Sequence, residues 1–342
     1  MDTCLGPELN VSDVFSCSFS SWYSSFENLT ISSKVLVLPP EVKSYLLADG
    51  IVLPEEDNYR STADTSEDEE DDWDDGNQES QPPKFVEFEA TVKQAIEALG
   101  GSVFPKLNWS APRDASWIAF GNTLKCEGLN EILLLLKSSD FITHDLTRPF
   151  DCCHDSGTHS SDSVQYELVL REWCSLAQSM EFRVFVKQGV IVGISQRDFT
   201  NYFPELKNIA ARLPREIQRF HSRHIAGKFT LQNYVFDVYR RATNNYLLID
   251  FNPFGEVCDS LLFSWEELRT RQVDGTQEDI FRYVMQQEGV KPNPYGQYRV
   301  PTDVIDIATG SDPQKLVDFL KVEAERQARE DSTKDDTDDV ER

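Results

Sequence analysis

Two apolar runs, N-Y-V-F-D-V-Y-R-R (Asn233–Arg241) and Y-L-L-I-D-F-N (Tyr246–Asn252), are joined through Thr243-Asn244-Asn245. Strands this close in sequence pair antiparallel through a tight turn, because a parallel partner needs a crossover of a dozen or more residues. The hairpin therefore fixes one antiparallel sheet and the register of three polar residues inside it. Asp250 and Asn252 are two apart and share one face, and Asp237, thirteen positions before Asp250, falls nearly opposite across the pair. Two carboxylates and an amide oxygen form a sparse hard-cation set. Magnesium suits it, since that ion keeps much of its octahedron for water and phosphate oxygens. An edge strand that turns Asp and Asn to water is the competing reading.

Other buried-type segments carry polar residues as well. Lys106 lies in V-F-P-K-L-N, a strand in which a cation needs an anion such as phosphate, or else a route by which its stem reaches solvent. In Y-E-L-V-L-R, alternation sets Glu167, Val169 and Arg171 on one face and Leu168 and Leu170 on the other. That face could frame an adenine through backbone groups at Leu168 and Val169 with Glu167 accepting from the exocyclic amine; a cross-strand salt bridge explains it equally. Arg183, Gln196 and Arg197 are expected on the same sheet face, as phosphate clamps or as partners of local acids.

The remaining elements read as a mixed chain. Strands are expected at Lys34–Leu38, Ser102–Leu107, Gln165–Trp173 and Glu181–Val186. The last turns at Gln188-Gly189 into Val190–Ser195. Helices are expected at Glu41–Leu47, over Phe85–Leu99 with its Gly100-Gly101 stop, near Leu129–Leu136, over Glu205–His224 and after the Ser264–Glu267 capping box. Phe15–Phe26, a mixture of Ser and aromatic residues, reads as folded but of no definite type.

Charge limits the partners. The chain has 33 Lys and Arg against 59 Asp and Glu, a net charge of -26, which argues against nucleic acid and anionic lipid. Nine of those acids fall between Asp64 and Asp75 without a base, and nine more against four bases lie from Glu323 onward. Both stretches read as disordered. Ser66, followed by four acids, suits an acidophilic kinase or is a plain spacer residue. Seven Cys with no C-x-x-C pair suggest reduced cytoplasmic thiols rather than a disulfide framework. No run of eighteen apolar residues and no basic-then-apolar start is present, so neither a membrane nor an export role is expected. Walker, dinucleotide, zinc-protease and serine-hydrolase motifs are missing.

The runs S-V-F-P-K-L-N-W-S-A-P-R-D-A (102–115), Y-E-L-V-L-R-E-W (166–173), E-F-R-V-F-V (181–186), G-I-S-Q-R-D (193–198), F-D-V-Y (236–239) and L-I-D-F-N-P-F-G-E-V (248–257) closely resemble the eukaryotic cell division cycle protein 123 family across nearly the whole chain. The resemblance implies an α+β, ATP-grasp-like fold in which two subdomains with mainly antiparallel sheets clasp a nucleotide cleft. It also implies a chaperone of translation initiation that binds ATP and Mg2+, engages the gamma subunit of eukaryotic translation initiation factor 2 and supports the cell cycle. The family's ligand positions fall on Lys106, Ala111, Arg113, Glu167, Val169, Arg171, Arg183, Gln196, Asp237, Asp250 and Asn252, the last three at the metal. The domain layout that follows is an N-terminal segment (1–60) packed on the fold, an acidic linker (61–83), subdomains over 84–165 and 166–322, and an acidic tail (323–342). The protein is expected to be a monomer when alone. A ligase or kinase that modifies a protein partner is the alternative, but Asp at the metal positions and N-W-S-A-P-R-D-A in place of a Gly-rich loop favour binding over turnover.

Overall fold

The structure, a computed structural model, describes residues 9–54, 83–158, 164–273 and 279–286, all within the unit Met1–Pro292. The acidic linker up to residue 82, Ser66 and the acidic tail lie outside the described residues. The order of elements begins α1 (Val11–Ser16), α2 (Phe19–Phe26), β1 (Ser33–Val37), α3 (Pro40–Leu47), α4 (Val86–Ala98) and β2 (Val103–Lys106). It continues α5 (Leu129–Lys137), α6 (Asp140–Thr147), β3 (Glu167–Glu172), β4 (Glu181–Lys187), β5 (Val190–Gln196) and α7 (Leu213–His224), then β6 (Tyr234–Ala242), β7 (Asn245–Pro253), α8 (Trp265–Thr270) and β8 (Phe281–Arg282).

The fold class is α+β, with two sheets. The first has the order β1-β3-β2 and is antiparallel throughout. The second has the order β7-β6-β4-β5-β8, antiparallel apart from the parallel β5–β8 pair. The β4–β5 hairpin closes through Gln188 and Gly189, both at positive φ (51° and 75°), the left-handed pair that a tight two-residue turn requires. The β6–β7 hairpin aligns Asp237 with Asp250 and slips by one residue immediately after, between Asp237 and Val238. The first sheet draws β3 from beyond residue 165, so β2 and β3 share one layer.

Three of the apolar clusters among the described residues follow from strand alternation in β3 and the second sheet. Leu168 and Leu170 on one face of β3 pack with α4, α5 and α6, including Val92, Ile132 and Ile142. Val169, on the opposite face, joins Phe19, Trp22 and Phe26 of α2, the Phe182, Val184, Phe236 and Phe251 face of the second sheet, and Leu213 and Ile217 of α7. The other face of the second sheet is covered by Phe254, Cys258, Phe263 and Leu268 over Phe185, Val192 and Val235. The Phe15–Phe26 stretch is thus two short helices, with Phe19 and Trp22 buried in the cluster that Val169 shares with the second sheet.

One expectation needs correction. The helix expected over Glu205–His224 starts at Leu213, because Pro214 occupies the first turn, where a missing N–H costs nothing. The residues before it form a separate short 3-10 turn, Pro204–Asn208. Among the described residues no helix is long and apolar enough to cross a membrane.

Candidate functional site

Three strands of the second sheet set Asp250, Asp237 and Arg183 side by side, since Asp250 opposes Asp237 on β7 and β6, and Asp237 opposes Arg183 on β4. Asn252 opposes Val235, so it shares the face of the two carboxylates, as i and i+2 spacing requires. The first sheet meets this row from the side. Lys106 opposes Val169 across β2 and β3, and its ammonium donates to Asp250 Oδ2 at 2.6 Å. Arg171, on the same face of β3, donates to the Ile249 carbonyl at 2.8 Å and to Thr30 Oγ1 at 3.0 Å. Both cations also lie 5.4 Å from the Phe19 ring centroid, which adds an attractive quadrupole contact.

The second half of the site is a buried cluster of arginines and carboxylates. Arg183 holds Asp237 as a fork, Nε to Oδ1 and Nη2 to Oδ2, both at 2.8 Å, and its remaining arm donates to the Asp259 carbonyl at 2.9 Å. Arg197 lies 3.6 Å from Asp237 and 4.0 Å from Glu181, and Arg113 lies 3.7 Å from Glu181. Burial pushes the Asp237 carboxyl up, but the Arg183, Arg197 and Arg113 charges more than reverse this and hold it below the usual range. Burial lowers the Lys106 ammonium, and Asp250 offsets part of that loss. Burial also raises the Glu167 carboxyl, against a smaller contribution from a Ser20 hydrogen bond.

Lys106, Arg113, Arg171, Arg183 and Arg197 face the acids Glu167, Glu181, Asp237 and Asp250, with Asp145 and Asp259 also acting on Lys106 and Arg183. In a chain of net charge -26 such a gathering of cations is unusual, and it suits a polyanion. Among the described residues no group of three or more His, Cys, Asp and Glu side chains could hold a metal ion, so the candidate set stays at two carboxylates and the Asn252 amide. These are hard oxygens. Asp237 has both oxygens on Arg183, while Asp250 is partly exposed, so of the two Asp250 is the one a cation can reach.

Not every expected residue arrives as expected. Gln196 pairs with Phe182, not Arg183, so it lies on the opposite face from the Asp237 row. Its amide donates to the carbonyls of Asp198 and Asn201 and accepts from the Val284 N–H at 3.0 Å, which pins a loop and the end of β8. The backbone route to adenine is also closed. Strand β3 lies between β1 and β2, which commits the backbone groups of Leu168 and Val169 to the ladder, and the Val169 side chain is fully buried. Ala111 sits in the loop after β2, where its carbonyl accepts from the Arg113 N–H at 2.7 Å.

Arg197, expected on the Arg183 face, does reach it: Ser195 opposes Arg183, and position 197 returns to that face. Cys17 and Cys258, buried thiols near Asp250 and Arg183 respectively, carry no sequence signal; burial pushes Cys258 up to about 11. A groove of about 230 Å³ lined by Phe15, Trp22, Phe26, Lys228 and Phe229 shares none of these residues.

The sequence profile of the D123 family matches residues 22–308. A translation initiation factor eIF2 assembly protein of Xenopus tropicalis is 47% identical over 327 residues, covering 92% of this chain and 97% of its own. One from Kluyveromyces lactis is 36% identical over 337 residues, 89% of each chain. The solved structure of Cdc123 from Schizosaccharomyces pombe, at 36% identity, aligns with a TM-score of 0.68 over 81% of this chain and 99% of that one. With the profile matched over residues 22–308 and relatives matched along nearly their full length, the chain belongs to the D123 family.

Proposed function

We propose that this protein binds ATP with Mg2+ between its two sheets and acts as an assembly factor for eIF2, the role that its relatives' names carry. Within that factor the gamma subunit is the proposed contact, and the setting is cytoplasmic translation initiation and, through it, the cell cycle. The observation that supports nucleotide binding is a concentration of unmet polar atoms. Buried polar atoms are nearly always paired. Glu167 Oε2, Arg171 Nε, Glu181 Oε1 and Arg197 Nε are buried here without a hydrogen-bond partner, as are Trp22 Nε1, Tyr45 Oη and Ser138 Oγ elsewhere, and the first four belong to residues of the site. A ligand that parts the sheets would give them partners.

In this reading Lys106 and Arg113 meet the phosphates, while Glu167 and Arg171 frame the base and ribose through side chains. Asp250 and Asn252 would hold the metal, with Asp237 fixed behind them by Arg183. The magnesium, when bound, neutralises phosphate charge. Binding rather than turnover is favoured because the loop that follows Lys106 is held at many points. Asn108 donates to the Gln165 carbonyl at 3.0 Å and accepts from the Glu167 N–H at 2.9 Å, and Trp109 donates to the Val14 carbonyl at 2.8 Å. Such a loop has little freedom to close over a reacting group.

Calorimetry with ATP and Mg2+ tests the site. Asp250→Ala should abolish measurable binding and Asp250→Asn should weaken it, and wild-type affinity in both would refute the assignment. Capture of the eIF2 gamma subunit should rise with ATP in the wild type and lose that response in Asp250→Asn.

A further inference from the structure

We infer that Asp145 of α6 is a positioning residue for the phosphate-binding lysine, holding the turn that follows Lys106 through Ser110. The inference rests on the reading that Lys106 meets a triphosphate, and it deepens that reading by assigning a role to a carboxylate outside the ligand set.

The geometry is specific. Strand β2 ends at Lys106, and the chain reverses at once, with the Leu107 N–H donating to the Ser110 carbonyl at 2.9 Å. Ser110 is then gripped twice by one side chain: its N–H donates to Asp145 Oδ2 at 2.8 Å and its hydroxyl to Asp145 Oδ1 at 3.0 Å. Asp145 is itself fixed, because its own carbonyl and that of Leu146 accept from the Tyr166 hydroxyl at 3.1 Å each, which ties α6 to the residue just before β3. Asp114 makes a parallel anchor on the same helix, accepting from Ser139 Oγ at 2.5 Å and the Phe141 N–H at 3.2 Å. The loop that would cover the phosphates is therefore bolted to α6 at both ends.

Gripping Ser110 in this way takes two acceptor oxygens. A neutral Asn has one, so in this geometry it could accept from the Ser110 N–H or from the hydroxyl but not from both. Burial pushes the Asp145 carboxyl up to about 7, with the two Ser110 hydrogen bonds and then Lys106 drawing it back. Lys106 in turn is lowered by burial and raised first by Asp250 and, further off, by Asp145, against Arg171.

The experiment compares ATP and adenosine, each with Mg2+, by displacement titration on the full chain. Asp145→Asn should lower ATP affinity about tenfold and leave adenosine affinity unchanged, and Ser110→Ala should lower ATP affinity by a smaller factor. In a Lys106→Met background, Asp145→Asn should cost nothing further. Equal loss of ATP and adenosine affinity, or full additivity with Lys106→Met, would mark a structural role and overturn the inference. Should Asp145→Asn fail to fold, Ser110→Ala in both backgrounds decides the same question. A Lys106→Met variant that binds ATP like the wild type would instead sink the nucleotide reading on which the inference stands.

Discussion

Lys106 and His221 show two ways in which burial treats a titratable side chain. Lys106 keeps a carboxylate partner brought in from 144 positions away, whereas His221 is neutral, its Nε2 at 2.7 Å from the Tyr234 hydroxyl and its ring stacked on Phe236. Burial pulls the His221 imidazole down to about 4 from an ordinary 6.5. A histidine with a depressed folded value contributes stability that is complete above pH 6.5 and is lost as pH falls toward 4, about 3 kcal/mol in all. Asp145, raised from 3.8 to about 7, acts with the opposite sign, its contribution disappearing as pH rises through 7. Denaturant midpoints from pH 7.5 to 4.5 should therefore fall more steeply in the wild type than in His221→Gln, which keeps a hydrogen-bonding group for Tyr234 and cannot become charged. Equal slopes would show that the ring is protonated without penalty. At this scale the sequence was informative where parity alone decides orientation. Asp237, Asp250 and Asn252 share a face because of their spacing, but the face of Gln196 depended on a register fixed by the Gln188-Gly189 turn. Asp145 gave no signal, since its partner Ser110 comes from a loop 35 positions away.

The β6–β7 hairpin, as an element, is held in place by α7. Glu216, 6% exposed, accepts from Arg240 Nε at 3.1 Å, the Tyr246 hydroxyl at 2.9 Å and the Asn244 N–H at 3.3 Å, so one carboxylate clamps both strands and their turn. Burial raises the Glu216 carboxyl, and the hydrogen bonds from Arg240, Tyr246 and Asn244 more than reverse it. Removing one member of a buried pair leaves the other charge without compensation, at a cost of about 3 to 5 kcal/mol. Glu216→Ala should lower unfolding free energy by that order in urea titrations. In Arg240→Met/Glu216→Leu, which removes both charges, much of the loss should return, and an exposed-site effect below about 1 kcal/mol would contradict the clamp. The hairpin itself was legible from its two apolar runs and the Asn-containing turn. Helices α1, α2 and α6 were not, because six to eight residues give too few turns for a 3.6-residue period to emerge from Ser-rich or polar sequence. Strand β8, two residues long, is held by partners rather than by its own pattern: Arg282 meets Glu267 at 2.6 Å and stacks 4.3 Å from the Phe263 ring centroid.

For the whole molecule, the proposed function sets an electrostatic problem, because a chain of net charge -26 would have to attract a triphosphate to its site and a protein partner to its surface. The site would meet the first demand at short range, where Lys106, Arg113, Arg171, Arg183 and Arg197 act across a few ångströms of poorly screened space. The second demand is a long-range one. Nine acids between Asp64 and Asp75 concentrate charge that a basic surface on the partner would feel out to about one Debye length, roughly 10 Å at 0.1 M salt. Steering of this kind changes association rates by about tenfold or more and is erased by salt, while dissociation and the nucleotide site are left alone. A chain lacking residues 61–83 should thus bind ATP as the full chain does. Its association rate with eIF2 gamma should fall at low salt, and the salt dependence of that rate should flatten, both read by stopped-flow mixing between 50 and 300 mM salt. An unchanged salt slope would remove the acidic stretch from the encounter step, and a weakened ATP affinity would mean that the stretch contributes to the cleft itself.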